Sequence, residues 1–218
     1  MLYKLDNVCF SYTPGISILD RVSMDILENE LTFLRGANGS GKTTLCRILS
    51  GLNTGYQGSV LYHGQELKNV LPHRIADEVM YLKQEGSLNI VAATPEEDLK
   101  IRQDKFNDSP NPQHETDRQT ALQRLDLLSL KDTPVWELSA GQIKRISIAG
   151  LLLNWKHFWI LDEPCIGLDS NMTGILRNLL QQRKEQNLGA LIIDHTGLLM
   201  DTDAHNQYLI ENGRITRL

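Results

Sequence analysis

The chain has 218 residues, of which 41% are hydrophobic, so it can bury the core of one large domain or two small ones. The 22 basic and 27 acidic residues give a formal net charge of -5 without a basic patch, so no nucleic-acid partner is expected. Three widely separated cysteines show neither metal-binding nor disulfide spacing. The N-terminal stretch lacks a signal-peptide pattern, and no apolar run approaches the roughly 20 residues that cross a bilayer.

The spacing of apolar residues along the chain predicts the secondary-structure elements. Residues 2–35 read as strands, a helix is predicted from Lys42, and a short buried strand over Val79–Gln84. The polar segment from Pro95 to about Thr133 predicts a helical insertion whose centre, RQDKFNDSPNPQHETD, is a turn or mobile connection; an ordinary surface loop is the alternative. Two further helices then alternate with the apolar strands HFWILDEP and GALIIDH. This alternation predicts an α/β fold with a largely parallel sheet.

A glycine-rich stretch follows the third predicted strand. Residues 36–43 fit the pattern G-x-x-x-x-G-K-[ST] between a strand and a helix. Its glycines let backbone N–H groups approach an anion closely: Gly36, Gly39 and Gly41. Lys42 adds a charge for the outer phosphates, and the Thr43 hydroxyl suits Mg²⁺. The stretch therefore predicts a nucleoside triphosphate site, with a merely flexible glycine loop as the alternative.

Two carboxylates end a later apolar strand. Residues 158–161 carry Asp162 and Glu163 to its carboxyl end, where ligands bind in open α/β sheets. Asp162 is suited to the shell of Mg²⁺, and Glu163 to orienting or deprotonating an attacking water. The alternative is a pair of acids that cap a helix.

The stretch ELSAGQIKR, residues 137–145, offers a second anion site. Ser139 can cap the helix that follows it. Its hydroxyl, the Gly141 N–H and the helix dipole also suit a phosphate. Two phosphate sites for one triphosphate indicate that the second serves a neighbouring molecule.

In order and over nearly the whole length, these motifs resemble the nucleotide-binding subunit of an ABC transporter. LSAGQ at residues 138–142 resembles the family signature LSGGQ, with alanine for the first glycine, while Cys165 and Ile166 depart from the usual threonine and small residue. The resemblance implies an α/β P-loop NTPase fold of the ABC ATPase type. It implies one domain over residues 1–218: a RecA-like parallel-sheet core (1–84 and 136–218), an N-terminal antiparallel β subdomain, and an inserted helical subdomain over about 85–135.

The resemblance also assigns ligands and residues. ATP and Mg²⁺ are implied, with catalytic roles for Glu163, His195 and Lys42 and metal contacts from Thr43, Gln84 and Asp162. The other implied nucleotide contacts, within one chain or across to a second ATPase, are Tyr12, Gly36, Asn38, Gly39, Ser40, Gly41, Thr44, Ser139, Ala140, Gly141, Gln142 and Asp169. The alternatives are a half-buried strand aromatic at Tyr12, a polar strand end at Gln84, a helix cap at Asp169 and a structural histidine at His195.

The implied function is that of an ATP-binding subunit on the cytoplasmic face of a membrane, paired with a second ABC ATPase and coupled to a separate integral membrane subunit. SLNIVAATPEEDL and ISIAGLLL resemble the energy-coupling-factor branch, which imports cobalt, nickel or vitamins, and we favour that branch. The compact length, LSAGQ and WILDEP resemble instead the ATPase of the haem exporter in cytochrome c maturation. A soluble ABC ATPase is a third possibility. Acids 96–98 are interpreted as helix-start residues, not as a metal site.

Overall fold

The computed structural model describes residues 1–105, 113–155, 157–199 and 204–218. Its strands are, in chain order, β1 (Tyr3–Phe10), β2 (Leu19–Ile26), β3 (Leu31–Arg35), β4 (Gln57–Tyr62), β5 (Gln65–Glu66), β6 (Val79–Leu82), β7 (Phe158–Asp162), β8 (Ala190–Ile193), β9 (Asn206–Glu211) and β10 (Arg214–Arg217). Its α-helices are α1 (Lys42–Leu49), α2 (Pro72–Ala76), α3 (Pro95–Lys105), α4 (Gln113–Arg124), α5 (Ala140–Leu153) and α6 (Ser170–Glu185).

The chain divides into two compact units. The first contains Met1–Tyr81, His157–Pro164 and Arg177–Leu218, and the second contains Leu82–Lys156 and Cys165–Leu176. The helical subdomain predicted over about 85–135 stays a prediction as to its boundaries. The second unit contains α3 and α4, which lie in that segment, and also α5, which follows it.

The first unit contains two sheets. One has the order β2-β1-β4-β5 and is antiparallel, and the other has the order β10-β9-β3-β8-β7-β6. In the second sheet β3 pairs in parallel with both β8 and β9, and β7 pairs in parallel with β8, while β10 returns antiparallel to β9. These sheets confirm the predicted parallel core and N-terminal antiparallel sheet.

Burial explains why the two sheets differ in sequence pattern. Every residue of β7 and β8 is buried, as expected for continuous apolar strands in the middle of a parallel sheet. In β2, buried and more exposed residues largely alternate, because only one face of that strand packs inward. An apolar cluster joins both sheets to α1 and includes Tyr3, Leu34, Leu45 and Ile193. The carboxyl ends of β3, β7 and β8 therefore rest on one rigid core.

The turn predicted over residues 102–117 is wrong at both ends. Residues 102–105 belong to α3 and residues 113–117 to α4, while 106–112 lie outside the described residues. The segment is polar and yet helical at both ends, because Arg, Gln, Lys and Glu are good helix formers. Arg118 fastens the two helices, since its Nε lies 2.7 Å from Glu96 Oε1 and its Nη1 2.8 Å from Gln103 Oε1.

The acids at the start of α3 have structural partners. Asp98 accepts hydrogen bonds from the Val91 N–H at 2.7 Å and from Arg102 Nε at 2.6 Å. The described residues contain no group of three or more His, Cys, Asp or Glu side chains that could hold a metal ion. Glu96, Glu97 and Asp98 all lie in the first turn of α3, which confirms their interpretation as helix-start residues. None of the described helices is long and apolar enough to cross a membrane.

Candidate nucleotide site

The glycine-rich loop joins the end of β3 to the start of α1 in the first unit. Gly41 is the N-cap of α1 with φ 108°, a left-handed conformation that favours glycine. A Cβ at Gly41 would lie 2.8 Å from Leu19 Cδ2, and a Cβ at Gly36 would lie 2.4 Å from the Ile210 carbonyl oxygen. Both positions therefore require glycine, because the loop runs directly against β2 and β9.

The donors of this loop suit an anion. Helix α1 has no side-chain cap and no acidic residue in its first turn among the described residues. Ser40 Oγ is buried and has no hydrogen-bond partner within the described part of the chain. Buried polar groups normally have a partner, so an orphaned hydroxyl beside the first turn of a helix fits a ligand that accepts hydrogen bonds.

Lys42 holds its charge inside the loop. Only 5% of the residue is exposed, and Nζ donates to the carbonyl oxygens of Gly36 at 2.8 Å and Ala37 at 2.9 Å. The same nitrogen lies 3.8 Å from Glu163 Oε1. A cation is thus fixed between the loop and the strand that carries the carboxylates.

The two carboxylates that end β7 have different surroundings. Asp162 is fully buried, and its Oδ2 accepts a hydrogen bond from the Tyr81 hydroxyl at 3.2 Å. Burial, reinforced by the negative charges of Cys46 and Asp162 in their ionised forms, raises the pKa of Tyr81 well above its ordinary value. The phenol therefore stays protonated and keeps donating to Asp162.

Glu163 follows β7 in an unusual backbone conformation. Its φ of 50° lies in the left-handed region, where residues other than glycine are uncommon. Its N–H donates to the Ile193 carbonyl at 3.0 Å, which ties the turn to the end of β8. A conformation of this kind persists when the surrounding structure enforces it, and it is frequent at functional sites. The Glu163 side chain is itself buried, with 7% of it exposed.

His195 completes a cluster of three residues within the first unit. It lies two residues beyond β8, and its Nδ1 is 3.0 Å from Glu163 Oε1. Because a carboxylate accepts hydrogen bonds, Nδ1–H is the donor to Glu163. Nε2 is the ring nitrogen that does not contact Glu163. The structure thus brings the three predicted catalytic residues together, with the Glu163 carboxylate between an ammonium and an imidazole.

Tyr12 lies beyond β1 and is 57% exposed, so its interpretation as a half-buried strand aromatic is wrong. Its ring packs edge-on against Phe10 with centroids 4.8 Å apart. Its hydroxyl oxygen lies 3.1 Å from Asn53 Nδ2 and 3.4 Å from Thr44 Oγ1, which is in α1. The exposed ring face is therefore held beside the start of the loop helix. Asn53 carried no sequence signal for this contact.

The signature stretch lies in the second unit and starts α5. Ser139 is the N-cap: its Oγ accepts from the Gln142 N–H at 3.2 Å, and Gln142 Oε1 accepts from the Ser139 N–H at 2.7 Å. This capping box confirms the predicted cap. A Cβ at Gly141 would lie 3.0 Å from the Gly167 carbonyl, so little space exists there for a side chain. Ala140 is the first residue of the helix.

Asp169 caps α6, as its alternative interpretation predicted. Its Oδ1 accepts from the Met172 N–H at 2.8 Å. Its Oδ2 lies 2.9 Å from Arg145 Nη2, and Arg145 belongs to α5. The Asp169 side chain is 54% exposed, so it is accessible to another molecule.

Gln84 lies two residues past the end of β6 and not at a strand end. Its carbonyl oxygen accepts from Lys144 Nζ at 2.9 Å, and the Lys83 carbonyl accepts from the same nitrogen at 3.3 Å. Lys144 is 2% exposed and belongs to α5. The backbone of Gln84 is thus fastened to the signature helix within the second unit. Lys144 was missed, because its partners lie about sixty positions away in sequence.

A family model described as ABC transporter matches residues 19–166. The chain belongs to the ABC transporter ATPase family. It binds and hydrolyses ATP, as the combination of loop, carboxylates and signature predicted.

Three similar proteins bear on the type of transporter. An energy-coupling factor transporter ATP-binding protein, EcfA3 of Clostridium perfringens, is 29% identical over 98% of this chain and 76% of its own length. The cytochrome c biogenesis ATP-binding export protein CcmA of Vibrio parahaemolyticus is 30% identical over 85% of this chain and 88% of its own. The solved structure of cbiO1 of Clostridium perfringens, part of the ABC transporter complex cbiONQ, has a TM-score of 0.79 at 26% identity and covers 99% of this chain and 86% of its own.

Removing the cap at Ser139 should destabilise this ABC ATPase. We expect Ser139→Ala to lower the free energy of unfolding by about 0.5–2 kcal/mol, because the Gln142 N–H loses its acceptor. Ser139→Thr keeps a hydroxyl and should stay close to wild type. Denaturant unfolding of the three proteins without nucleotide gives the comparison, and equal midpoints would show that the cap contributes nothing.

Proposed function

We propose that this ABC ATPase is the ATP-binding subunit of an importer of the energy-coupling-factor type, which takes up a metal ion or a vitamin. It would work on the cytoplasmic face of a membrane and couple hydrolysis to transport through a separate integral membrane subunit. The observation that carries the hydrolytic role is the contact of Glu163 with both Lys42 and His195 beside the glycine-rich loop. The similarity to EcfA3 and cbiO1 supports the type of transporter.

In this proposal Lys42 acts on the phosphates of ATP, and Glu163 acts on the attacking water. The Lys42 ammonium exchanges its loop carbonyls for the outer phosphate oxygens and stabilises their charge. Glu163 orients or deprotonates the attacking water as a general base. His195 donates Nδ1–H to Glu163 and presents Nε2 towards the γ-phosphate.

The donors in and around the site fit Mg²⁺, which prefers oxygen ligands. Thr43 is exposed in the first turn of α1, and Asp162 ends β7 in the same unit. Those two residues would hold the ion. Gln84, which the resemblance implies as a third ligand, belongs to the second unit. When bound, Mg²⁺ neutralises negative charge on the phosphates.

A second ABC ATPase, either another copy or a homologue, would complete the site. The Ser139–Gln142 stretch offers an anion-binding helix start for the nucleotide on the partner's loop, with Asp169 beside the same interface. The exposed Tyr12 would stack on the adenine. Shared contacts with the γ-phosphate would hold the two ATPases together until hydrolysis. Loss of that phosphate would then release them.

The ATPase of a haem exporter is a second candidate, favoured by the similarity to CcmA over 88% of the length of that protein. In either case the membrane subunit would dock beside Gln84. Two apolar side chains in the segment that follows are well exposed, Leu88 and Val91. Exposed apolar residues close together fit a surface that another protein covers.

Capture of the tagged chain from its native membranes in mild detergent, followed by mass spectrometry, tests the proposed function. An energy-coupling transmembrane subunit with a small substrate-binding membrane protein would support the importer and name its substrate class. Cytochrome c maturation subunits would replace the importer with the exporter. A soluble complex with DNA or ribosomes would refute a transport role.

A matched pair of variants tests the docking surface. Leu88→Asp should lose the membrane subunit, because it places a charge on the exposed apolar segment. Lys100→Asp, on an exposed position of α3, should keep it. Equal capture by both variants would place the docking surface elsewhere.

A further inference from the structure

The residue before His195 is a buried acid, Asp194, which is 4% exposed. Its Oδ1 accepts from the Thr196 N–H at 2.8 Å and from the Thr196 hydroxyl at 2.5 Å. Its Oδ2 accepts from the Leu199 N–H at 3.1 Å. The carboxylate therefore gathers the loop that follows His195 into a closed turn. All of these contacts lie within the first unit.

Two more contacts complete the turn. The Thr196 hydroxyl oxygen accepts from the Leu198 N–H at 3.2 Å. The Leu198 carbonyl accepts from Arg177 Nη2 at 2.7 Å, and Arg177 is on α6. Hydrogen bonds to Asp194 within the loop and from Arg177 on α6 therefore both hold the loop in place. His195 lies between β8 and this fixed turn.

The His195 side chain needs such a support. It is 33% exposed, so packing leaves part of the ring in solvent, where rotamers exchange easily. Its Nδ1 nevertheless has to stay 3.0 Å from Glu163 Oε1 for the contact described above. The backbone of residues 194–199 determines where the His195 side chain starts. The hydrogen bonds to Asp194 hold that backbone in place.

We propose that Asp194 is a positioning residue that holds His195 against Glu163. The proposal rests on the role proposed for His195 in hydrolysis. If Asp194 only stabilised the loop, its substitution would have the same effect with and without the His195 imidazole. A positioning carboxylate acts on turnover only while His195 is present.

Asp194→Asn tests this at nearly constant size, because one oxygen becomes an NH₂ group that faces an N–H donor. We expect kcat to fall by between about tenfold and a hundredfold, the scale of a small misplacement of a reacting group. The dissociation constant of ATP, measured without turnover, should change by less than about twofold, since Asp194 does not belong to the glycine-rich loop. In a His195→Ala background the same substitution should change kcat by less than about twofold.

Two controls keep the test decisive. Thr196→Ser retains the hydroxyl donor and should resemble wild type, while Thr196→Val loses it and should lower kcat even if Asp194→Asn folds poorly. The imidazole resonances of His195, assigned with His195→Ala, should shift in Asp194→Asn without nucleotide.

The outcomes separate this proposal from the proposed function. An unshifted His195 resonance, or equal losses of kcat with and without His195, overturns the positioning role. Full turnover by His195→Ala instead refutes the catalytic role of His195, and the resonance then decides the positioning role by itself.

Discussion

Glu163→Gln should bind ATP as tightly as wild type and release phosphate at least about a hundredfold more slowly, the scale of losing a general base. The amide keeps the size of the side chain but has no basic oxygen for the proton of the attacking water. Its carbonyl oxygen still accepts from His195, so the turn after β7 should stay folded. Phosphate release at saturating ATP, with nucleotide binding measured in parallel, checks both parts.

A second glutamate serves as the control for that substitution. Glu185 is exposed at the end of α6, and Glu185→Gln should leave phosphate release unchanged. Near-normal turnover by Glu163→Gln would remove Glu163 from the role of base. The hydrolytic site would then have to depend on another group.

Lys42→Ala should lose affinity for ATP by at least about tenfold, since a hydrogen bond to a charged group contributes about 1.5–3 kcal/mol. The ammonium is buried in the loop, and alanine leaves no donor in its place. The substitution also leaves Glu163 without its nearby cation, so unfolding should be measured together with binding. Titration with a fluorescent ATP analogue under conditions without turnover gives the dissociation constant.

Lys4→Ala is the matched control. Lys4 is exposed on β1, and its substitution removes the same charge as Lys42→Ala. It should bind the analogue as wild type does. Unchanged binding by a folded Lys42→Ala would contradict the interpretation of residues 36–43 as the triphosphate site.

The site could be predicted from sequence where one short segment contains all the residues of a functional motif. The stretch from Gly36 to Thr43 needs a strand before it and a helix after it, and both are visible locally as apolar periods. The same holds for the buried run that ends at Asp162 and Glu163. The parallel sheet followed from the alternation of such runs. The contact between Lys42 and Glu163 was not predicted, because the two residues are 121 positions apart in sequence.

The unpredicted elements fall into two kinds. The hairpin β9–β10 had a local signal, since Asn212 and Gly213 form its turn with φ of 49° and 74°, and Asn-Gly is a typical hairpin turn. The contacts of Asn53 with Tyr12 and of Lys144 with Gln84 had none, because they depend on which elements become neighbours. Asp194 is intermediate: an aspartate that binds the backbone two residues on is a known turn former, but its effect on His195 is visible only in the fold.

The mass of the Glu163→Gln protein in solution tests most directly whether ATP is shared between two ATPases. With Mg²⁺ and ATP, light scattering should show a complex of two ATPase chains, either with itself or with the homologue captured from membranes. With Mg²⁺ and ADP the chains should separate, and adding Ser139→Arg to Glu163→Gln should prevent association in ATP between copies of the chain. A single-chain mass at saturating ATP, both alone and with the captured homologue, would contradict the account.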